Sequence, residues 1–351
     1  MLRRDSGCGA REESGDRMRT KFHPDHDSAV AGRGLNMPCA CVLTKFGPPS
    51  VLQWAEVAMP EPSKGEIRIK AIVSGVGPTD LKIRRGSLAA VYPLPDRAVL
   101  GFETAGVVDA VGEGVTGVAV GDEVASQLMT LGGYGEFVVA KTWALKPKGV
   151  SWEDAGALPA SIEAAVRVLR ALKVSSGETL LLLGAGGSVG MIAAQLALQQ
   201  GLRVIAAVGE HDEKLVRELG ATPVRYGSEL LANVRQVADR VDATFDAAGK
   251  GGLEEAITLT GDRARVITLA DERARDLGVA FSSWTPDGAP DAIAIGLELL
   301  ANGQLQLRSQ RSLAMPDAAE AHRLLEEEGV REKLLLTTAA VGSGEREATH
   351  D

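Results

Sequence analysis

Aromatic side chains make up only 4% of the 351 residues, with four Trp, three Tyr and six Phe. Any core must therefore be built mainly from Ala, Val, Leu and Ile. Three cysteines, Cys8, Cys39 and Cys41, are too few for a disulfide framework and fit a reducing cytoplasm, where the chain is expected to reside. The five histidines are scattered. His23 and His26 lie close together but have no Cys nearby, so a metal site is not expected there. No apolar run approaches the roughly 18–20 residues that span a bilayer, and "TLLLLG" ends in glycine, which argues against a membrane protein. A net charge of −9, without clustered Lys and Arg, argues against a nucleic-acid partner.

The remaining composition is that of a globular chain, 45% hydrophobic and long enough for two domains. Residues 1–36 are the exception. Their mixed charges, glycines and weak apolar periodicity cannot offset the entropy of ordering, so a disordered leader is expected. It lacks the apolar core of a signal peptide, and its acids count against an organelle-targeting peptide. Met37 is a candidate translation start.

Two textures follow. From Cys39 to about Lys148 the chain reads as short strands punctuated by Gly and Pro. "EIRIKAIVSGVG" alternates apolar and polar residues, and "VAVGDEVAS" and "YGEFVVAK" surround Gly–Asp and glycine turns. This spacing argues for a small β-barrel or sandwich. After a helical stretch, Ile162–Leu172, strands alternate with helices: "TLLLL", "RVIAAV", "PVRY", "ATFDAA", "RVITLA" and "GVAFSSW" are the strands. Such alternation predicts a parallel sheet with helices on both faces. An apolar helix, "DAIAIGLELLANG", an amphipathic one, "PDAAEAHRLLEEEG", and a last strand, "KLLLT", close the chain.

"LLLLGAGGSVG" carries the main chemical signal. Gly184, Gly187 and Gly190 recur every third residue between a buried strand and a helix, with Ser188 and Val189 between the last two. A tight turn lets a pyrophosphate approach the backbone, and the helix start offers free N–H groups to it. The context of strand, turn and helix inside a βαβ unit gives this glycine trio its specificity. An NAD site usually places Asp or Glu at the end of the next strand. "RVIAAV" ends instead in Gly209, with Glu210, His211, Lys214 and Arg217 beyond. The cations favour the 2′-phosphate of NADPH over NADH, although Glu210 argues the other way. Lys214 and Arg217 fit equally well on a solvated helix face, paired with Glu213 and Glu218. Gly249, in "ATFDAAGKGG", is expected where the backbone passes the nicotinamide. Asp246, in the same strand, reads as a partner for neighbouring backbone N–H groups.

In order, "GVGPTDLKIRRG", "VLGFETAGVV", "GVAVGDEV", "GGYGEFVVA" and "GAGGSVG" resemble the medium-chain dehydrogenase/reductase superfamily, in its zinc-independent quinone oxidoreductase and enoyl reductase branch. The resemblance runs from Met37 to about Thr338. It implies an α/β fold: a GroES-like β-barrel catalytic domain over 37–158, a Rossmann cofactor domain with a doubly wound parallel sheet over 159–289, and a return to the catalytic domain over 290–341. Residues 342–351 are expected to form a flexible tail. Zinc-dependent relatives carry Cys where this chain has Gly77 and His where it has Phe102. The structural-zinc lobe is missing between "GDEVAS" and "GGYGEF", so no zinc is expected. The implied activity is hydride transfer from NADPH to a small-molecule quinone or α,β-unsaturated carbonyl. An enoyl-thioester reductase, a zinc-independent dehydrogenase in secondary metabolism, and a non-catalytic NADPH-binding protein of redox-sensing or crystallin-like type are the alternatives.

Donors to the developing enolate come from "DLKIRRGSLAAVYP", which matches the segment lining the family's substrate cleft. Lys82 and Tyr92 are the catalytic candidates, and Arg84 and Tyr134 the candidate substrate contacts, although Tyr134 also reads as structural. Many relatives carry Tyr where Lys82 stands, Asn at Gly77 and Thr near Ala164, so the nicotinamide pocket departs from the family pattern. Glu103 reads as a structural carboxylate, with Arg84 a conceivable partner. As in relatives, the apolar edge "GVAFSSW" suggests a homodimer through sheet extension.

Overall fold

Strand Ile67–Gly75 shows how alternation becomes architecture. Ile67, Ile69, Ala71 and Val73 point inward while Lys70 faces solvent. The computed structural model describes residues 37–94, 96–285 and 288–338; the expected leader at 1–36 and tail at 342–351 lie outside the described residues. One edge of Ile67–Gly75 pairs antiparallel with Glu103–Val111. The other edge is shared, with Phe137–Ala140 on its first half and Lys333–Thr337 on its second. Register shifts between Arg68 and Ile69 and between Ala71 and Val73 bend the strand, as bulges do. Gln310–Ala314, Glu123–Gln127 and Thr142–Leu145 complete a seven-stranded sheet. A three-stranded sheet is made by Leu52–Glu56, Cys39–Leu43 and Ala98–Val99. Ile67, Ile69, Val108, Val124, Leu128 and Val138 share one core inside this β region.

A third sheet has six parallel strands. Thr179–Leu183 and Ala243–Asp246 are central. Arg203–Val208 and Thr222–Arg225 lie outside the first, and Val266–Thr268 and Ala280–Phe281 outside the second. In chain order this is 3-2-1-4-5-6, the doubly wound arrangement. Leu180 and Leu182 enter one core with helices Pro159–Leu172 and Ser188–Gln199, while Leu181 and Leu183 enter another with helices Leu230–Val237 and Leu253–Thr260. A strand buried on both faces loses the apolar–polar alternation, which is why "TLLLL" reads as a continuous run. The first helix begins at Pro159 rather than Ile162, because proline's fixed φ suits the first helical position. "GVAFSSW" contributes only Ala280 and Phe281 to the sheet, both exposed at its edge.

The seven-stranded sheet and the parallel sheet meet at one buried carboxylate. Glu103 is 2% exposed. It accepts a hydrogen bond from Lys333 Nζ at 2.5 Å and one from the Ala160 N–H at 2.8 Å. Lys333 opens the last strand, and Ala160 lies in the first turn of helix Pro159–Leu172. The helix start, with its free N–H groups and positive dipole end, favours an anion there. Gly75 leaves the room: a Cβ there would fall 2.1 Å from Glu103 Oε1. The partner is therefore Lys333 and not Arg84, which turns to Glu326.

Breaking such a pair on one side leaves a buried charge unpaired. Lys333→Met is expected to cost about 3–5 kcal/mol in unfolding free energy measured by urea denaturation. Glu103→Gln combined with Lys333→Met is expected to recover most of that loss. A double variant no more stable than Lys333→Met would show that the charge pairing is not what holds this junction.

Candidate functional site

The turn after Thr179–Leu183 is tight for steric reasons. Gly184 has φ 79°, and a Cβ on it would lie 2.6 Å from Ala248 Cβ. A Cβ on Gly190 would lie 2.2 Å from the Gly184 carbonyl oxygen, so this glycine lets the helix approach the strand. Gly187, the residue before helix Ser188–Gln199, meets nothing nearer than 3.5 Å at its Cβ position. Its bare backbone leaves room for a ligand. Gly184, Gly187, Ser188, Val189, Gly190 and Gly209 all line one cavity of about 500 Å³. The cavity reaches Ala247 and Ala248 after the other central strand, which puts it at the crevice where the strand order reverses. Val76, Pro78 and residues 329–334 close its other side. A cradle of backbone at a helix start, with space where side chains would stand, fits a dinucleotide diphosphate.

The cations expected beside Gly209 do not line this cavity. His211, Lys214 and Arg217 are exposed, and Lys214 sits 3.7 Å from Glu218, the solvated-face arrangement. Gly249 is also absent from the lining. Its φ of 60° and its contact with Ala270 serve the turn, which Asp246 pins by accepting from the Ala248 and Gly249 N–H groups at 3.0 Å each. The cavity's cations are Lys250, Arg308, Arg331 and Lys333. Three of them come from the returning segment more than a hundred residues from the glycine turn, and no local pattern marks them. Tyr226 is a further unforeseen lining residue, its hydroxyl 3.6 Å from the Cβ position of Gly209.

Helix Pro78–Arg85 carries Lys82 in its last turn. Lys82 is half-buried and makes no ion pair among the described residues. Tyr92, also half-buried, packs edge-on against Phe102 with ring centroids 5.8 Å apart. Burial, followed by the nearby Asp80, raises its phenol above the ordinary value. Asp80 is fully enclosed and accepts from the Gly77 and Gly101 N–H groups at 2.9 and 3.1 Å. Burial pushes its carboxyl up to about 6, against the opposing pull of those N–H groups and of Lys333.

Arg84 and Tyr134 are corrected: neither is available to a substrate, because both are 0% exposed. Arg84 pairs with Glu326, and its Nε and Nη1 find no partner among the described residues. The Tyr134 hydroxyl shares a hydrogen bond with His322 Nε2 at 3.1 Å. Burial holds the Tyr134 phenol well above its usual range. Burial also drives His322 down to about 3, with Arg84 adding to the effect. Among the described residues no cluster of three or more His, Cys, Asp or Glu is arranged to hold a metal ion. No described helix is long and apolar enough to cross a membrane.

Residues 63–149 match the alcohol dehydrogenase GroES-like domain, and residues 188–279 match the zinc-binding dehydrogenase family. The quinone oxidoreductase of Rattus norvegicus is 31% identical over 236 residues, covering 66% of this chain and 68% of that protein. The chloroplastic NADPH-dependent alkenal/one oxidoreductase of Arabidopsis thaliana is 32% identical over 245 residues, covering 66% and 62%. The chain thus spans about three fifths of the length of the plant relatives it matches. A mycobacterial protein solved in complex with NADPH superposes with a TM-score of 0.73 at 25% identity, covering 85% of this chain and 99% of that one.

The His322 environment makes a pH prediction. A histidine whose pKa falls on folding supports the folded state fully above its ordinary value of 6.5 and loses that support as pH drops toward about 3. Asp80, shifted upward, works with the opposite sign and is common to wild type and variant. Relative to His322→Gln, the wild-type chain is expected to lose about 1.4 kcal/mol per pH unit between roughly pH 6 and pH 4 in urea unfolding series. Parallel stability curves would mean that His322 is not held neutral.

Proposed function

The chain belongs to the medium-chain dehydrogenase/reductase superfamily, in its quinone oxidoreductase branch, and on that footing we propose that it is an NADPH-dependent reductase of quinones or α,β-unsaturated carbonyls that needs no metal. The observation that carries this reading is the joint one at the cleft. A backbone cradle shaped for a diphosphate opens onto Val76 and Pro78, which flank Gly77 at the start of the helix that carries Lys82. Phe102 stands where zinc chemistry would need a histidine.

NADPH supplies a hydride when bound; the rest of the work falls to the chain. Gly184, Gly187, Ser188, Val189 and Gly190 would hold the diphosphate, and Gly209 with Tyr226 the adenosine end. The strand ending at Val208 carries no acid at its tip, and Glu210 is drawn 3.5 Å from Arg225 rather than toward a ribose. Both features favour NADPH over NADH. A relative named NADPH-dependent and a neighbour solved with NADPH support the same choice. The raised phenol of Tyr92 keeps its proton at neutral pH, so it can donate to an enolate oxygen, with Lys82 as a cationic second donor. Phe102 and other apolar side chains pack around Tyr92. The exposed edge Ala280–Phe281 would pair two chains as a homodimer.

Loss of NADPH absorbance with 1,4-benzoquinone, an aliphatic enone and a crotonyl thioester tests this reading. Turnover of the quinone or the enone, unaffected by a chelator, is expected. Turnover of the thioester alone would move the substrate class to enoyl thioesters, and NADPH binding without turnover of any would make the chain a cofactor binder. Tyr92→Phe is expected to lower kcat by about 10²-fold while leaving the KM for NADPH unchanged. Unchanged kcat in both Tyr92→Phe and Lys82→Ala would assign the proton to neither.

A further inference from the structure

Of the two acids that line the cavity, Asp212 and Glu332, Asp212 lies over the glycine turn. Asp212 begins the short helix Glu213–Glu218, a position where Asp usually caps its own helix, yet its side chain makes no capping hydrogen bond. It turns instead over the glycine turn. A Cβ on Gly186 would fall 2.4 Å from Asp212 Oδ2, so the carboxylate fills the space that the missing side chain leaves. Its other oxygen, Oδ1, faces two guanidinium groups, Arg308 Nη2 at 3.4 Å and Arg331 Nη1 at 3.9 Å. Arg308 is braced by donating from Nε to the Arg331 carbonyl, and its side chain is only 12% exposed. All four residues line the cavity with Gly187 and Ser188.

Building on the cofactor reading above, we propose that Arg308 and Arg331 bind the diphosphate of the cofactor, and that Asp212 is the anion they hold until it arrives. The carboxylate and a diphosphate cannot share one seat over Gly186. Arginine in a partly buried, pre-braced geometry suits a phosphate as well as it suits a carboxylate. Cofactor entry therefore exchanges one anion for another, and Asp212 swings out toward its own helix start, where its capping role waits. The exchange links the loop before Gln310–Ala314 and the turn before Lys333–Thr337 to the state of the cradle. Apparent affinity is then reduced by the fraction of molecules in which Asp212 occupies the seat.

Titration of the full chain with NADPH and with NADH, followed by calorimetry, tests the exchange. Asp212→Asn is expected to tighten both cofactors by at least about threefold, since the diphosphate is common to them. Arg308→Met and Arg331→Met are expected to weaken both by about tenfold, with Arg308→Lys recovering part of the loss. Inorganic pyrophosphate should compete with NADPH more strongly in Asp212→Asn than in wild type. Weaker binding by Asp212→Asn, above all for NADH, would make Asp212 a ribose ligand and overturn the proposal. Unchanged affinity in Asp212→Asn, or in both Met variants, would overturn it as well. In each of those cases the cofactor reading stands if the wild-type chain binds NADPH, whereas a wild-type chain that binds neither cofactor removes that reading too.

Discussion

Glu103 is the point on which the seven-stranded and the parallel sheet turn. Its two oxygens are divided between an ammonium 230 residues away and a backbone N–H 57 residues away. The first ties the last strand to the first sheet, and the second fixes where helix Pro159–Leu172 leaves that sheet for the parallel one. A buried ion pair gains little over an apolar pair of the same size, because desolvation offsets its Coulomb energy. What it provides is placement: a carboxylate that must be satisfied from both sides admits few arrangements of the segments that satisfy it. Gly75 belongs to the same constraint, since any side chain there would collide with Glu103. The cavity inherits its geometry from this junction, for Lys333 both closes the pair and lines the cavity wall.

On the opposite wall the constraint is steric. Gly184 and Gly190 are required by the protein's own backbone, whereas Gly187 is spacious only toward the cavity. Two of the three glycines therefore build the turn, and one keeps it accessible. In the β region, outside the cavity lining, burial shifts three polar groups. Asp80 is raised, Tyr92 keeps its proton, and His322 is held neutral deeper in the core. Burial is the leading cause in all three, so sequestration from water sets the acid–base character of this region more than any single neighbour does.

What could be read from the sequence divides along the range of the interaction. The glycine turn, the alternation of "EIRIKAIVSGVG" and the doubly buried "TLLLL" are local patterns, and the structure carries them as expected. Asp246 as a backbone anchor also follows from its position at a strand end. Arg84 misled because a charged residue in a cleft-lining segment was expected to face the cleft, while Glu326, far along the chain, draws it into the core. Tyr134 is enclosed for a similar reason, its hydroxyl satisfied by His322, 188 residues distant. Lys214 and Arg217 lie close to the right strand but are exposed and outside the cavity lining, and periodicity over six residues, Glu213–Glu218, is too short to decide orientation. Arg308 and Arg331 carry no local signal, since only the folded chain brings them to the glycine turn.

These returning arginines also explain how an acidic chain can receive a polyanion. With a net charge of −9, the average surface repels a dinucleotide phosphate. The cavity reverses that sign locally, because Lys250, Arg308, Arg331 and Lys333 outnumber the lining acids Asp212 and Glu332. Lys333 is already matched by Glu103, and Asp212 balances at most one arginine. An excess of positive charge remains over the helix start, whose own dipole has the same sign. Low-dielectric walls focus such a field into the cleft rather than spreading it over the surface. The acids elsewhere on the chain sharpen the contrast, which favours the cleft for a phosphate-bearing ligand.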